Sequence, residues 1–154
     1  MNFKDGDVKS MIEGVVGTIC ASLVQLPCEL RREDVEPTGA GICADVLLSG
    51  PRSYRVSLRA SAALADLIAA AMLGAGARGA AQSDDAFAEF ANMTAGNLRS
   101  LLDVDGLALG FPSVSRGSRF PPSENGCVVR FRLAGEPLVV VVAEESGSGR
   151  SGVI

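Results

Sequence analysis

The feature that most constrains the fold is a period-two alternation on one side of a short polar break. In GICADVLLSGPRSYRVSLRAS, Tyr54, Val56, Leu58 and Ala60 alternate with Arg55, Ser57 and Arg59, and Ser49-Gly50-Pro51-Arg52 supplies a turn. Side chains of a strand point to opposite faces in turn, so this stretch reads as an antiparallel hairpin with one apolar face and one wet face. Such a face has to be covered, and the cover available elsewhere in the chain is helical.

Three helices are predicted. Val8, Met11, Ile12, Val15, Val16, Ile19 and Leu23 recur at threes and fours over residues 7–25, before Pro27 stops the run. That is the apolar stripe of a long amphipathic helix. Gly14 and Gly17 inside it each cost roughly 1 kcal/mol relative to Ala, which suggests close packing against a neighbouring backbone. A second helix spans residues 62–73, with Ser61 placed to cap it and Gly74 to close it in a left-handed conformation. The Gly-rich GAGARGAAQ then makes a loop. A third helix covers residues 83–102, with Phe87, Phe90, Ala91, Thr94, Leu98 and Leu101 on one side.

The rest is strand-rich. Residues 107–111 and a segment around Val114 precede a second hairpin, CVVRFRL and PLVVVVA, joined at Ala134-Gly135-Glu136-Pro137. The near-continuous Val run predicts a central position for the last strand. The expected fold class is α+β: a single domain over residues 1–145, a mainly antiparallel sheet with long helices packed on it. Residues 146–154 are expected to be a flexible tail, because ESGSGRSG offers nothing to bury. The core has to be aliphatic, since aromatic residues are 5% of the chain and Trp is absent.

Charge and residue types exclude several functions. A net charge of -4 gives no field to attract nucleic acid or an anionic membrane. The arginines, among them Arg52, Arg55, Arg59, Arg116 and Arg130, are scattered and read as a solvated surface. No apolar stretch approaches the ~20 residues needed to span a bilayer, and the first ten residues, MNFKDGDVKS, do not resemble a secretory signal. A cytoplasmic location is therefore expected. Cys20, Cys28, Cys43 and Cys127 form no Cys-x-x-Cys pair and read as buried free thiols, with no metal site. The sequence contains no histidine, so a Ser or Cys nucleophile would lack its usual base. Phosphate-cradling Gly loops are also missing.

One constellation remains. At about 100° per residue, Asp85, Glu89, Asn92, Gly96 and Arg99 fall in a row opposite the apolar side of the third helix. Such a row could enter a partner's cleft. A mid-helix Gly weakens the helix, and one reason to tolerate it is to let another protein's surface approach beside Asn92. Spacing alone favours the plainer reading of a solvated face with an incidental Gly.

At this helix the chain resembles the CheX members of the CheC/CheX/FliY chemotaxis phosphatase family. DDAFAEFANMTAGNLRSLL looks like their helix, in which a Glu-x-x-Asn pair runs into Asn-Met-x-Ala-Gly; here these are Glu89, Asn92, Met93, Ala95 and Gly96. SAALADLIAAAMLG resembles the family's shorter helix, GICADVLLSGPRSYRVSLRAS its hairpin, and LGFPSVSRG its strand with a Pro-containing segment. The resemblance covers residues 41–117, and the segment joining Asn92 to Pro112 is somewhat short against the family pattern.

The resemblance implies a CheC-like fold and a phosphatase acting on the phosphoryl-aspartate of a CheY-like receiver in chemotaxis signalling. Asn92 would orient the attacking water and Glu89 would pair with the receiver's active-site Lys, with Asp85, Gly96 and Arg99 as partner-binding positions. The protein would need no cofactor of its own, because Mg²⁺ would be carried by the receiver. It also implies a homodimer joined through the sheet, to which the strands between Cys127 and Ala143 could contribute. The alternative is a non-catalytic CheX-like module that binds a receiver or another signalling protein. A structural part of the flagellar switch would need further interaction segments, and none is apparent.

Overall fold

A computed structural model describes residues 5–31, 36–37, 41–74, 79–102, 106–117 and 126–145. The elements are α1 (Asp5–Ile19), a π-helical turn (Cys20–Val24), β1 (Cys28–Arg31), β2 (Gly41–Ser49), β3 (Ser53–Ser61), α2 (Ala62–Leu73), α3 (Ala80–Leu102), β4 (Ala108–Leu109), β5 (Ser113–Gly117), β6 (Gly126–Leu133) and β7 (Glu136–Glu145). The expected tail at 146–154 lies outside the described residues, as does most of the Gly-rich loop between α2 and α3.

The seven strands form one antiparallel sheet in the order β1-β6-β7-β3-β2, with β4 and β5 both pairing along the far side of β2. The expected α+β domain, an antiparallel sheet bearing long helices, is therefore present. In the first hairpin Ile42 stands opposite Ala60 and Val46 opposite Val56. Ile42, Val46, Leu48, Val56 and Leu58 point to one face, where α1, α2 and α3 cover them. In the second hairpin the strands meet one step earlier than expected. Leu133 pairs with Glu136, and the turn is Ala134-Gly135 with φ of 52° and 83°. Both turn residues are left-handed, as the twist of a two-residue hairpin requires.

The Val run is central, as its composition implied: β7 lies between β6 and β3, and Val139 through Val142 are buried on both faces. β1 flanks only Arg130–Leu133 of β6, so among the described pairings residues 126–129 of β6 have β7 on one side and a sheet edge on the other. The edges among the described strands are therefore β1, residues 126–129 of β6 and the β4–β5 line.

Helix ends follow from local chemistry. The Ser61 hydroxyl accepts the Leu64 N–H at 3.1 Å and donates to Glu136 at 3.0 Å, while Gly74 closes α2 at φ 92°. α1 passes into the π-helical turn and stops at Gln25, which is left-handed at φ 57°. α3 begins one turn before the expected Ser83, after Gly79 at φ 90°.

Four expectations are corrected. A Cβ added at Gly14 or Gly17 would meet nothing within 4 Å, so neither permits a close backbone contact. Leu101 is 51% exposed, because at the end of α3 it faces a groove beside α1 rather than the sheet. The strand expected over 107–111 shortens to β4. Arg59 is buried, since it stands on the middle of the sheet's outer face opposite Cys43 and Val139. Arg52, Arg55, Arg116 and Arg130 are ion-paired, with Glu144, Glu145, Asp84 and Glu36 respectively. None of the four cysteines is in a disulfide, and three are buried. Burial, with Asp45 alongside, pushes the Cys43 thiol up to about 11 and keeps it protonated.

Candidate functional site

α3 owes its orientation to one strongly apolar side. Phe87, Phe90, Ala91, Thr94, Ala95 and Leu98 are essentially inaccessible, and Thr94 returns its hydroxyl to the Phe90 carbonyl at 2.9 Å. Burying two phenylalanines and a leucine stabilises this placement by several kcal/mol, at roughly 1.5–3 kcal/mol per large apolar side chain. The helix cannot roll without exposing them. Two polar ties fix it further. The Ser83 hydroxyl donates to Asp66 of α2, and Arg116 of β5 donates to Asp84 at 2.7 Å and to the Ala80 carbonyl at 3.5 Å.

The opposite side carries the predicted row. Asp85, Glu89 and Arg99 are exposed, while Asn92 and Gly96 are half-buried. At 100° and 1.5 Å per residue the five positions lie within a sector of about 80° and along about 21 Å of helix. Glu89 and Asn92, three residues apart, project together. Neither makes a hydrogen bond or an ion pair among the described residues. Both are therefore available to another molecule. Their neighbour Asp84 is not, being held by Arg116.

Two members of the row behave differently from expectation. Arg99 reaches back to the Leu107 carbonyl at 3.4 Å, so it partly ties the end of α3 to the segment before β4. A Cβ at Gly96 would stand 3.7 Å from Leu109 Cδ2, an ordinary contact. The fold itself thus leaves room for Ala at Gly96, and the missing methyl is not explained by packing within the chain.

No three His, Cys, Asp or Glu side chains come together among the described residues. The row offers the carboxylates of Asp85 and Glu89, the amide of Asn92 and the guanidinium of Arg99. Sequence reasoning did not single out Phe111, which is 94% exposed next to this helix. Its place in an apparent strand hid it, and only the Gly110 and Pro112 on either side hint at irregular backbone.

Residues 42–132 match the family model for the chemotaxis phosphatase CheX, and this span runs from β2 into β6 with the whole of α3 inside it. The chain belongs to the CheX family. Solved structures with the same fold include CheX from Vibrio vulnificus, 14% identical with a TM-score of 0.74, where 94% of this chain covers 100% of that one. CheX from Desulfovibrio desulfuricans is 16% identical with a TM-score of 0.66, over 90% and 99% of the two chains. A CheX–CheY–BeF3–Mg²⁺ complex from Borrelia burgdorferi contains a chain 14% identical with a TM-score of 0.64, over 89% and 97%. At these identities the likeness establishes the fold. No curated protein sequence matches the chain. No helix among the described residues is long and apolar enough to cross a membrane.

Proposed function

We propose that this CheX-family chain hydrolyses the phosphoryl-aspartate of a CheY-like response regulator in chemotaxis signalling, using the outer row of α3. The observation that carries the reading is that Glu89 and Asn92 project together from the exposed side of a helix immobilised by its buried side, with no partners among the described residues. The family match and the Borrelia burgdorferi complex support CheY as the kind of partner.

The chemistry asks little of the enzyme. Water attacks phosphorus in line, the bond to the aspartyl oxygen breaks, and the receiver recovers its carboxylate. Position and charge compensation supply most of the catalysis in phosphoryl transfer. The Asn92 amide, which offers both a carbonyl acceptor and N–H donors, would hold the water on that line. Glu89 would pair with the receiver's active-site Lys and fix the helix in register. Asp85 and Arg99 flank the pair, and Gly96 leaves the surface beside Asn92 low. Mg²⁺ belongs to the receiver, and this chain supplies no cofactor. The setting is cytoplasmic, and a homodimer would join through the sheet, with the strands between Cys127 and Ala143 contributing.

The test is phosphate release from a phosphorylated CheY-like receiver with and without the chain. Faster release on adding the chain is expected. An unchanged receiver lifetime despite binding would contradict hydrolysis and favour the non-catalytic module.

A further inference from the structure

β4 and β5 are one edge strand along β2, interrupted by a bulge. Leu109 pairs with Leu48, the Gly110 N–H donates to the Leu47 carbonyl at 2.8 Å, and Ser113 pairs with Asp45. Phe111 and Pro112 therefore stand together opposite the single residue Val46. Two residues against one is the geometry that bends a strand and re-aims a side chain. Pro112 is accommodated because an edge-strand bulge makes no demand on its missing N–H. Gly110 anchors the bulge tightly: a Cβ there would lie 2.8 Å from the Leu47 carbonyl oxygen.

Phe111 is 94% exposed, whereas the next most exposed large apolar side chain among the described residues, Leu23, is 56% exposed. A fully hydrated phenylalanine on a fixed backbone gains nothing for the folded chain. Its height along α3 follows from two contacts. Leu109 lies against Gly96, and Arg116 grips Asp84. Gly96 and Asp84 are separated by about 18 Å of helix, and Leu109 and Arg116, with the bulge counted once, by about 20 Å of strand. The two elements run alongside in opposite senses. Two residues beyond Leu109, or roughly 7 Å, the strand has come level with Asn92.

We infer that Phe111 is the apolar anchor of the receiver-docking surface: as Glu89 and Asn92 enter the acidic phosphoacceptor pocket, Phe111 packs on the aliphatic rim beside it and helps to select the receiver. This rests on the proposed function. Charges that stay exposed at the rim, such as Asp85 and Arg99, contribute little affinity in water. Binding energy at interfaces concentrates in buried aromatic side chains ringed by polar contacts, and among the described residues Phe111 is the exposed aromatic beside the row.

The experiment titrates the CheY-like receivers of the source organism, each loaded with beryllium fluoride and Mg²⁺, against the wild-type chain, Phe111→Ala and Phe111→Leu. Phe111→Ala is expected to weaken binding by at least about tenfold and to raise KM for the phosphorylated receiver with kcat unchanged. Phe111→Leu is expected to retain most of the affinity. Melting temperatures should not move, because the side chain is solvated. Equal affinity of wild type and Phe111→Ala overturns the anchor while leaving the phosphatase intact. A wild type that neither binds nor dephosphorylates any of these receivers overturns the proposed function and the anchor together. If sedimentation shows that Phe111→Ala dissociates a homodimer without changing receiver affinity, a second copy is the occupant and the inference is wrong.

Discussion

α1 and α3 are both long amphipathic helices on the same side of one sheet, and both carry glycine away from the core, yet they differ in what their outer faces offer. On α1, Gly14 and Gly17 meet nothing within 4 Å, and Gly14 borders a groove of about 500 Å³, shared with α3 and lined by Met11, Ile19, Leu23 and Leu101. On α3, Gly96 follows Glu89 and Asn92, two polar groups with no partners among the described residues. A mid-helix glycine is therefore no sign of a site by itself. What distinguishes α3 is the combination of a carboxylate and an amide on one line with an orientation fixed by Phe87 and Phe90.

The comparison can be broken at several points. The inner faces should be equivalent: Ile12→Ala in α1 and Phe90→Ala in α3, both fully buried, are each expected to cost about 2–5 kcal/mol, measured by urea unfolding. A loss below about 1 kcal/mol for Phe90→Ala would mean that α3 is not held as described. The outer faces should diverge. Glu89→Ala is expected to raise KM for a phosphorylated receiver by about tenfold, equivalent to ~1.4 kcal/mol, whereas Glu13→Ala on the exposed face of α1 should leave KM alone. Equal effects would remove the distinction.

The glycines provide a finer test. Gly14→Ala and Gly17→Ala should each stabilise the fold by about 0.5–1 kcal/mol and leave turnover unchanged. Gly96→Ala should stabilise by a comparable amount yet slow turnover several-fold, if its low profile serves the partner. Unaltered turnover in Gly96→Ala would reduce that position to the status of Gly14.

The smallest effect concerns pH and an ion pair on the face of the sheet turned away from the helices. Arg55 donates to Glu145 and holds that carboxylate below its ordinary pKa. A depressed folded-state pKa contributes stability that is present above the unfolded value and is lost as pH falls through the carboxylate range. For so exposed a pair the loss is at most about 1 kcal/mol. Arg55→Gln should flatten that part of the stability profile without altering phosphatase activity.

Much of this architecture was legible because periodicity is a strong signal. The alternation of Tyr54, Val56, Leu58 and Ala60 fixed the first hairpin, and Ser61 and Gly74 bracketed α2. The threes and fours around Phe87 and Phe90 placed Glu89 and Asn92 outward. What was not legible depends on non-local contacts. The burial of Arg59 follows from its position in the middle of seven strands, and the exposure of Leu101 from the gap beside α1. The bulge that presents Phe111 arises from pairing with Leu47 and Asp45 more than 60 residues away in sequence. No local pattern encodes that register.

The most direct measurement is single-turnover loss of phosphate from a saturating complex with a phosphorylated CheY-like receiver, comparing the wild-type chain with Asn92→Ala. Saturation removes differences in docking, and circular dichroism would establish that the variant is folded. The account predicts that Asn92→Ala still binds but dephosphorylates at least about 100-fold more slowly, falling towards the receiver's own rate. A variant that hydrolyses as fast as wild type would contradict it.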